Sequence, residues 1–325
     1  MKLIVQIPCL NEESTIGRTI ADIPRAIEGV DKVEVLIIDD GCTDATVTTA
    51  SQAGADHVIS FPENRGLAAA WSAGIDEALR LGADVIVNTD ADNQYAGASI
   101  TDLVRPIVEG SADMVIGARP IEEIDDFSPT KKRLQRLGSW VVRAFSGTQV
   151  SDATSGFRAY SRSAALTLGV LSRFTYTHET LIQAGQAGLT VAEVPIRTNP
   201  KTRASRLARS TWDYVRRSVG TILRIYVLYQ PMALFNTIAA LLACAVLGAR
   251  YLYFVLIGEG TGHVQSVIVA ALLMMLAGQS FGLGIIADLL AANRKLIQET
   301  RQRVRALQFA DRVDAHGESR SEHPR

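Results

Sequence analysis

Two long apolar stretches near the carboxyl end constrain this chain more than any other feature. Residues 232–257 and 264–290 are each long enough to cross a hydrocarbon core of ~30 Å, which takes ~20 helical residues. A short polar turn, Gly258-Glu259-Gly260-Thr261-Gly262-His263, joins them. Asn236, Arg250, Gln279 and Asp288 interrupt the runs, and Arg250 and Asp288 lie near segment ends, where a charged group can reach the interface. The alternative is a pair of buried helices in a soluble protein. The flanks favour the membrane. Arg203, Arg206, Arg209, Arg216, Arg217 and Arg224 precede the first stretch, and Arg294, Lys295, Arg301, Arg303 and Arg305 follow the second. The turn between them has neither Lys nor Arg, so the positive-inside rule places both termini in the cytoplasm.

The expected organisation is a cytosolic domain over 1–208 and a juxtamembrane amphipathic helix over 209–230. Two transmembrane helices then fill 231–291 (about 232–257 and 264–290), and 292–325 is a cytosolic helix with a disordered tail from about 311. The amino terminus, MKLIVQIPCL followed at once by NEEST, is too short an apolar run for a signal peptide and reads as a strand. The net charge of -1 gives no reason to expect nucleic acid as a partner. Cys9, Cys42 and Cys244 show no metal-binding or redox spacing and read as free thiols in a reducing compartment.

Before residue 208, short apolar runs alternate with longer amphipathic ones. Strands are expected at Leu3–Ile7, Val33–Asp39, His57–Ser60, Val85–Thr89 and Met114–Gly117. Helices are expected at Asn11–Ile27, with Asn11 or Ser14 as cap, at Thr43–Gln52 and at Gly66–Leu81. Such alternation predicts an α/β fold with a mostly parallel sheet, whose ligands bind at the carboxyl ends of strands. The polar residues just past each strand are therefore the candidates.

Four clusters stand out. Asp39-Asp40 ends an apolar strand before a Gly turn, which suits a nucleotide-recognition loop or an ordinary capped turn. Asp90-Ala91-Asp92-Asn93-Gln94 also ends an apolar strand. Two carboxylates one residue apart can share one magnesium or manganese ion with substrate phosphates, although Asp and Asn are equally common in turns. Asp152 to Tyr160 (DATSGFRAY) has no periodicity and reads as a tight loop before a helix. Basic residues Lys131, Lys132, Arg133, Arg136, Arg197, Lys201, Arg203 and Arg206 suit either anionic headgroups or a lipid phosphate.

Together and in this order, these motifs resemble glycosyltransferase family 2, and within it the polyprenyl-phosphate hexose transferases of the dolichol-phosphate mannose synthase type. The resemblance covers residues 1 to about 208 and continues through the paired apolar spans. It implies a GT-A-type fold. It implies that Pro8-Cys9-Leu10-Asn11-Glu12 lines the nucleotide site and that Asp40 contacts the base. Asp90, Ala91, Asp92 and Gln94 would meet the metal and diphosphate, with Asp90, Asp92 and Gln94 the metal ligands. Gly117-Ala118-Arg119 matches the family's G-S-R, which puts Arg119 near the donor phosphate. DATSGFR matches D-x-x-S-G-F-R, bringing Ser155 and Arg158 to the acceptor side, and Thr177-His178-Glu179 matches a helix start. Arg203-Ala204-Ser205-Arg206 looks like R-x-G-x-S-K without its Gly and Lys. Cys42-Thr43 stands where Ser is usual. Lys131 and Gln135 fall where the family has its lipid-phosphate Arg and a Ser, which adds Lys131 and Arg133 to Arg203 and Arg206 as acceptor-phosphate candidates.

The function implied is metal-dependent, inverting transfer of a hexose from a nucleotide-sugar (UDP-glucose or GDP-mannose type) to a polyprenyl phosphate at the cytoplasmic membrane face. Homo-oligomerisation is left open. Alternatives are a glycolipid or polysaccharide acceptor, or an inactive membrane scaffold. A processive synthase is disfavoured because no Q-x-x-R-W occurs, and a dinucleotide-dependent dehydrogenase because no GxGxxG follows the first strand.

Overall fold

The structure, a computed structural model, describes residues 1–119, 147–148, 150–170, 176–199, 227, 231–244, 253, 256, 258 and 264–318. It divides into two units, one of Met1–Val215 with Arg301–Arg325 and one of Arg216–Thr300.

The first unit is built on a seven-stranded sheet. Its elements in chain order are β1 (Lys2–Cys9), α1 (Ile16–Ala21), β2 (Lys32–Asp39), α2 (Thr46–Gln52), β3 (His57–Ser60), α3 (Leu67–Arg80), β4 (Val85–Asn88), α4 (Ser99–Val108), β5 (Met114–Ala118), β6 (Arg158–Ser161), α5 (Arg162–Thr167), α6 (Thr177–Gln186) and β7 (Val191–Pro195). The strand order is β3-β2-β1-β4-β6-β5-β7. Only β6 is antiparallel to its neighbours. β1 and β2 are apolar along nearly their whole length because helices cover both faces of the sheet.

Glu34 is the exception inside β2. It is 4% exposed and holds Lys2 at 2.8 Å, Lys32 at 2.5 Å and His57 at 2.8 Å. Burial raises its pKa, but hydrogen bonds from Lys2, Lys32 and His57 outweigh burial and pull it down to about 2 from an ordinary 4.5. The native state therefore keeps this carboxylate ionised at pH values where the unfolded chain has taken up a proton. Its contribution is complete above the unfolded pKa and is lost as pH falls from about 4.5 toward 2. We expect the loss to be on the order of 2 kcal/mol, reduced from the full shift because Lys32 is largely solvated. Denaturant titrations at stepped pH should show this loss in the native protein, and Glu34→Gln should flatten it.

Several element boundaries differ from expectation. α1 begins at Ile16, not Asn11, because Asn11 takes a left-handed φ of 55° and its Oδ1 accepts from the Thr43 N–H at 2.8 Å. Neither Asn11 nor Ser14 is the cap; Thr15 holds that position. The helix stops at Ala21, three residues before Pro24, whose ring disfavours helical backbone at Ile23. α2 begins at Thr46 because Asp44 Oδ1 accepts from the Thr46 N–H at 3.0 Å and from its hydroxyl, closing a turn over Thr43–Ala45.

α7 (Pro231–Cys244) lies in the second unit with the part of α8 (Val264–Glu318) up to Thr300, and the two helices approach closely at Gly284. A Cβ there would lie 3.0 Å from Phe235 Cβ and 3.5 Å from the Met232 sulfur. Within α8, Ile268–Phe309 is long and apolar enough to cross a membrane, by length and composition. Leu272, Met275, Leu283, Ile286, Leu289 and Leu290 on it are each half exposed or more, which a buried core helix would not show. α8 is continuous over 55 residues and ends at Glu318, so the tail expected from about 311 is helical through 318. The Arg, Gln, Glu, Leu and Ala residues beyond 290 are good helix formers, so the change from apolar to polar composition does not break the helix. The juxtamembrane segment 209–230, apart from Val227, and most of 245–263 lie outside the described residues.

Candidate active site

The parallel register brings the ends of β1, β2 and β4 to one edge. Gln6 of β1 lies beside Asn88 of β4, and Cys9 of β1 beside Asp39 of β2. Pro8–Glu12, Asp39–Asp44 and Thr89–Gln94 therefore leave the sheet together. β5 runs the same way, so Arg119 joins them. Because β6 is reversed, the loop Asp152–Phe157 enters the sheet at that same edge, and Arg158 pairs in register with Asn88.

On the nucleotide side, Pro8 is buried in β1 and Glu12 is 7% exposed. The Glu12 N–H donates to Thr46 Oγ1 at 2.8 Å, which ties the first loop to α2. Asp40 is 4% exposed; its Oδ1 accepts from the Arg65 N–H at 2.7 Å and its Oδ2 from the Gly66 N–H at 3.0 Å. Two of a carboxylate's roughly four acceptor positions are thus used to fix the entry to α3. Arg65, over the Phe61 ring at 5.0 Å, is an exposed cation on this side that sequence reasoning did not single out. Cys9 and Cys42 are free thiols whose pKa values are raised by burial, so both stay protonated.

The Asp90–Gln94 loop is pinned from two sides. The Thr19 hydroxyl of α1 donates to the Ala91 carbonyl at 3.0 Å. The Asn199 backbone N–H donates to the Gln94 carbonyl at 2.9 Å, and its side-chain amide to the Asn93 carbonyl at 3.0 Å. Asp92 Oδ1 accepts from the Gln94 N–H at 3.2 Å, and Asn93 holds a left-handed φ of 54°. Asp90 lies against Gly156, where a Cβ would sit 3.3 Å from Asp90 Oδ1 and 2.8 Å from the Tyr176 hydroxyl. Any side chain at 156 would push into that carboxylate.

Beneath this loop lies a buried polar chain. Gln6 Nε2 donates to Asn88 Oδ1 at 2.9 Å. Asn88 Nδ2 donates to the Gly156 carbonyl at 2.9 Å and to the Tyr176 hydroxyl at 2.9 Å. Tyr95 stacks on Phe157 at 4.9 Å, and Trp71 on Tyr176 at 5.2 Å. Burial pushes the Tyr95 hydroxyl up to about 12, with Asp90 adding to the effect. His178 stays neutral near pH 7, its pKa lowered to about 4 by burial and then by Arg158.

Arg119 grips Asp152 through two parallel hydrogen bonds, Nε to Oδ2 at 2.7 Å and Nη2 to Oδ1 at 3.0 Å, and reaches Thr154 Oγ1 at 2.7 Å. Asp152 is wholly buried, and burial alone would raise its pKa; the Arg119 hydrogen bonds and charge reverse that and hold it below the usual range. Arg119 thus braces the Asp152–Phe157 loop, and Asp152 is its partner.

Ser155 and Arg158, the two residues expected on the acceptor side, are both 0% exposed. Arg158 spends its donors on Ser155 O at 2.7 Å, Thr177 O at 2.7 Å, Thr180 Oγ1 at 3.0 Å and Ala153 O at 2.8 Å. Ser155 Oγ accepts from the Phe157 N–H at 3.3 Å. Both residues shape the loop from inside. Lys131, Arg133, Gln135, Arg203 and Arg206 lie outside the described residues.

No group of three or more His, Cys, Asp or Glu forms a metal cage among the described residues. The Asp90–Gln94 loop nevertheless fits a hard divalent cation that keeps several ligand positions for substrate and water. It offers two carboxylates, and the buried Asn93 Oδ1 has no hydrogen-bond partner among the described residues.

A family model described as glycosyl transferase family 2 matches residues 4–169. The UDP-N-acetylglucosamine–dolichyl-phosphate N-acetylglucosaminyltransferase of Methanococcus voltae is 31% identical over 217 residues, covering 59% of this chain and 83% of that protein. Glycosyltransferase AglJ of Haloferax volcanii is 27% identical over 313 residues, covering 93% of this chain and 96% of that protein. Among solved structures, glucosyl-3-phosphoglycerate synthase of Mycobacterium tuberculosis, crystallised with Mn2+, UDP and glucosyl-3-phosphoglycerate, is similar with a TM-score of 0.52 and 22% identity, covering 70% of this chain and 78% of that one. At that identity the likeness concerns the fold.

Proposed function

From the premise that this chain belongs to glycosyl transferase family 2, we propose that it transfers a hexose from a nucleoside diphosphate sugar to a polyprenyl phosphate at the cytoplasmic face of a membrane. The observation that carries this reading is the single sheet edge that gathers Pro8–Glu12, Asp40, Asp90–Gln94 and the Arg119-braced loop. Similarity to a dolichyl-phosphate transferase supports the lipid acceptor. UDP-glucose and GDP-mannose types both suit the nucleotide side.

Asp90 and Asp92, with Gln94 beside them, would hold magnesium or manganese, which when bound supplies Lewis-acid stabilisation of the departing diphosphate. Asn11, Glu12 and Asp40 place the nucleoside. Arg119 sets the Asp152–Phe157 loop beside the donor phosphates. The acceptor oxygen forms a bond to the anomeric carbon as the bond to the diphosphate oxygen breaks, on opposite faces, so the configuration inverts. A phosphate monoester is already anionic near neutral pH, since its second pKa is about 6, and needs no strong base. Lys131, Arg133, Arg203 and Arg206 are assigned to the acceptor phosphate. α7 and α8, with their close approach at Gly284 and exposed apolar surface, are assigned to a membrane hairpin.

The test is transfer of radiolabel from individual nucleotide-sugars to polyprenyl phosphate, read in the organic phase. Label should reach the lipid, disappear with EDTA and return with magnesium or manganese. Full transfer in EDTA would remove the metal from the mechanism. No lipid-linked label from any nucleotide-sugar would remove the acceptor.

A further inference from the structure

The last turns of α8 belong to the catalytic unit, and they grip it at one place. Arg305 is 7% exposed. Its Nη1 group donates to three carbonyls, Ala165 at 3.1 Å, Leu166 at 3.2 Å and Leu168 at 3.0 Å, while Nη2 reaches Asp76 Oδ1 on α3 at 2.5 Å. Two hydrogens on Nη1 serve three oxygens, so at least one is shared. These oxygens belong to the carboxyl end of α5, where carbonyls lack intrahelical donors and carry the negative end of the helix dipole. Gln302 Nε2 adds a bond to Thr167 Oγ1 at 2.8 Å, and Arg162 Nη2 one to the Phe309 carbonyl at 3.4 Å.

The segment after α5 connects this grip to the candidate site. Gly169 exchanges two hydrogen bonds with the side chain of Gln183 on α6. Its N–H donates to Oε1 at 3.0 Å, and its carbonyl accepts from Nε2 at 2.6 Å. The first turn of α6 supplies Thr177 O and Thr180 Oγ1, which hold Arg158, and Arg158 holds the carbonyls of Ala153 and Ser155. Tyr176, just before α6, donates to the Gly156 carbonyl at 3.2 Å. Hydrogen bonds and one short helix thus run without a break from Arg305 to the loop against Asp90.

We infer that Arg305 is a positioning residue: by capping α5 it sets Gly169, α6 and Arg158, and through them the Asp152–Arg158 loop that the transfer reaction uses. The kinetic part of this inference rests on the proposed function; the structural part does not.

Hydrogen exchange by mass spectrometry on the full chain in detergent tests it. In Arg305→Ala, amides of 152–158 and 176–183 should exchange about tenfold faster or more, the factor expected from losing a charge-assisted cap, with β1, β2 and β4 unchanged. Gln183→Leu, which breaks the chain midway, should speed up 152–158 while leaving 301–309 protected. Arg305→Lys should restore part of the protection. With polyprenyl phosphate as acceptor, the KM for the nucleotide-sugar should rise several-fold in Arg305→Ala while the KM for the lipid stays as in wild type. Faster exchange confined to 162–168 and 301–309, or a Gln183→Leu loop as protected as wild type, would overturn the inference. The exchange data decide it even if the wild type makes no lipid product, and Gln183→Leu decides it if Arg305→Ala does not fold.

Discussion

Asp92→Ala is expected to lower sugar transfer by roughly 10²–10³-fold while leaving the fold nearly as stable as wild type, the scale seen when one electrostatic group that stabilises developing charge is removed. The reason is its position. Asp92 sits on a loop already fixed by Thr19 and Asn199, and its carboxylate closes a turn onto the Gln94 N–H. Removing that carboxylate would delete a proposed ligand oxygen without opening a cavity. Losing the bond to the Gln94 N–H accounts for about 1 kcal/mol. Initial rates, with a melting curve in the same detergent, separate the two effects. Asp90→Asn should lose activity on a similar scale, but with a larger change in stability, because Asp90 packs against Gly156 and lies near Tyr95 and Tyr176. An Asp92→Ala enzyme with more than about a tenth of wild-type transfer would exclude that carboxylate from the chemistry.

Arg158→Met is expected to do the opposite, destabilising the catalytic unit by about 3–5 kcal/mol, the range for breaking a buried charged network by removing one partner. Methionine fills much of the volume but leaves the carbonyls of Ala153, Ser155 and Thr177 without these donors in a site with no exposure. Urea titration of the purified chain measures it. The competing outcome is a normally stable protein with a raised KM for lipid acceptor, which would favour the phosphate-binding role expected from sequence.

The burial of Arg158 marks the limit of what local sequence encodes. Strands β1, β2, β4 and β5 were legible because burial on both faces writes nearly continuous apolar runs such as Leu3–Val5 and Val35–Ile38. The candidate donor side was legible for the same reason, since Asp40 and Asp90 come directly after such runs. β6 was not. Its sequence, Arg-Ala-Tyr-Ser, is half polar, and its first residue is a cation that composition statistics put on the surface. Arg158 is buried only because carbonyls from residues 153, 155 and 177 converge on it, and no local pattern records that convergence. The same holds for Asp152, whose partner Arg119 lies 33 residues away. Asn11 looked like a helix cap by residue type, yet its oxygen serves Thr43 on the next loop.

The stack of Trp71 on Tyr176 gives this molecule an optical handle. The chain has three indoles, Trp71, Trp140 and Trp212. With the latter two replaced by phenylalanine, all tryptophan emission comes from a ring that is 1% exposed, 5.2 Å from Tyr176 and 5.8 Å from Tyr160. Tyr176 also donates to the Gly156 carbonyl, so this single fluorophore is one side chain removed from the loop against Asp90. Quenching or a red shift on adding a nucleotide-sugar would then register movement at that loop in real time, without labelling the protein or waiting for turnover.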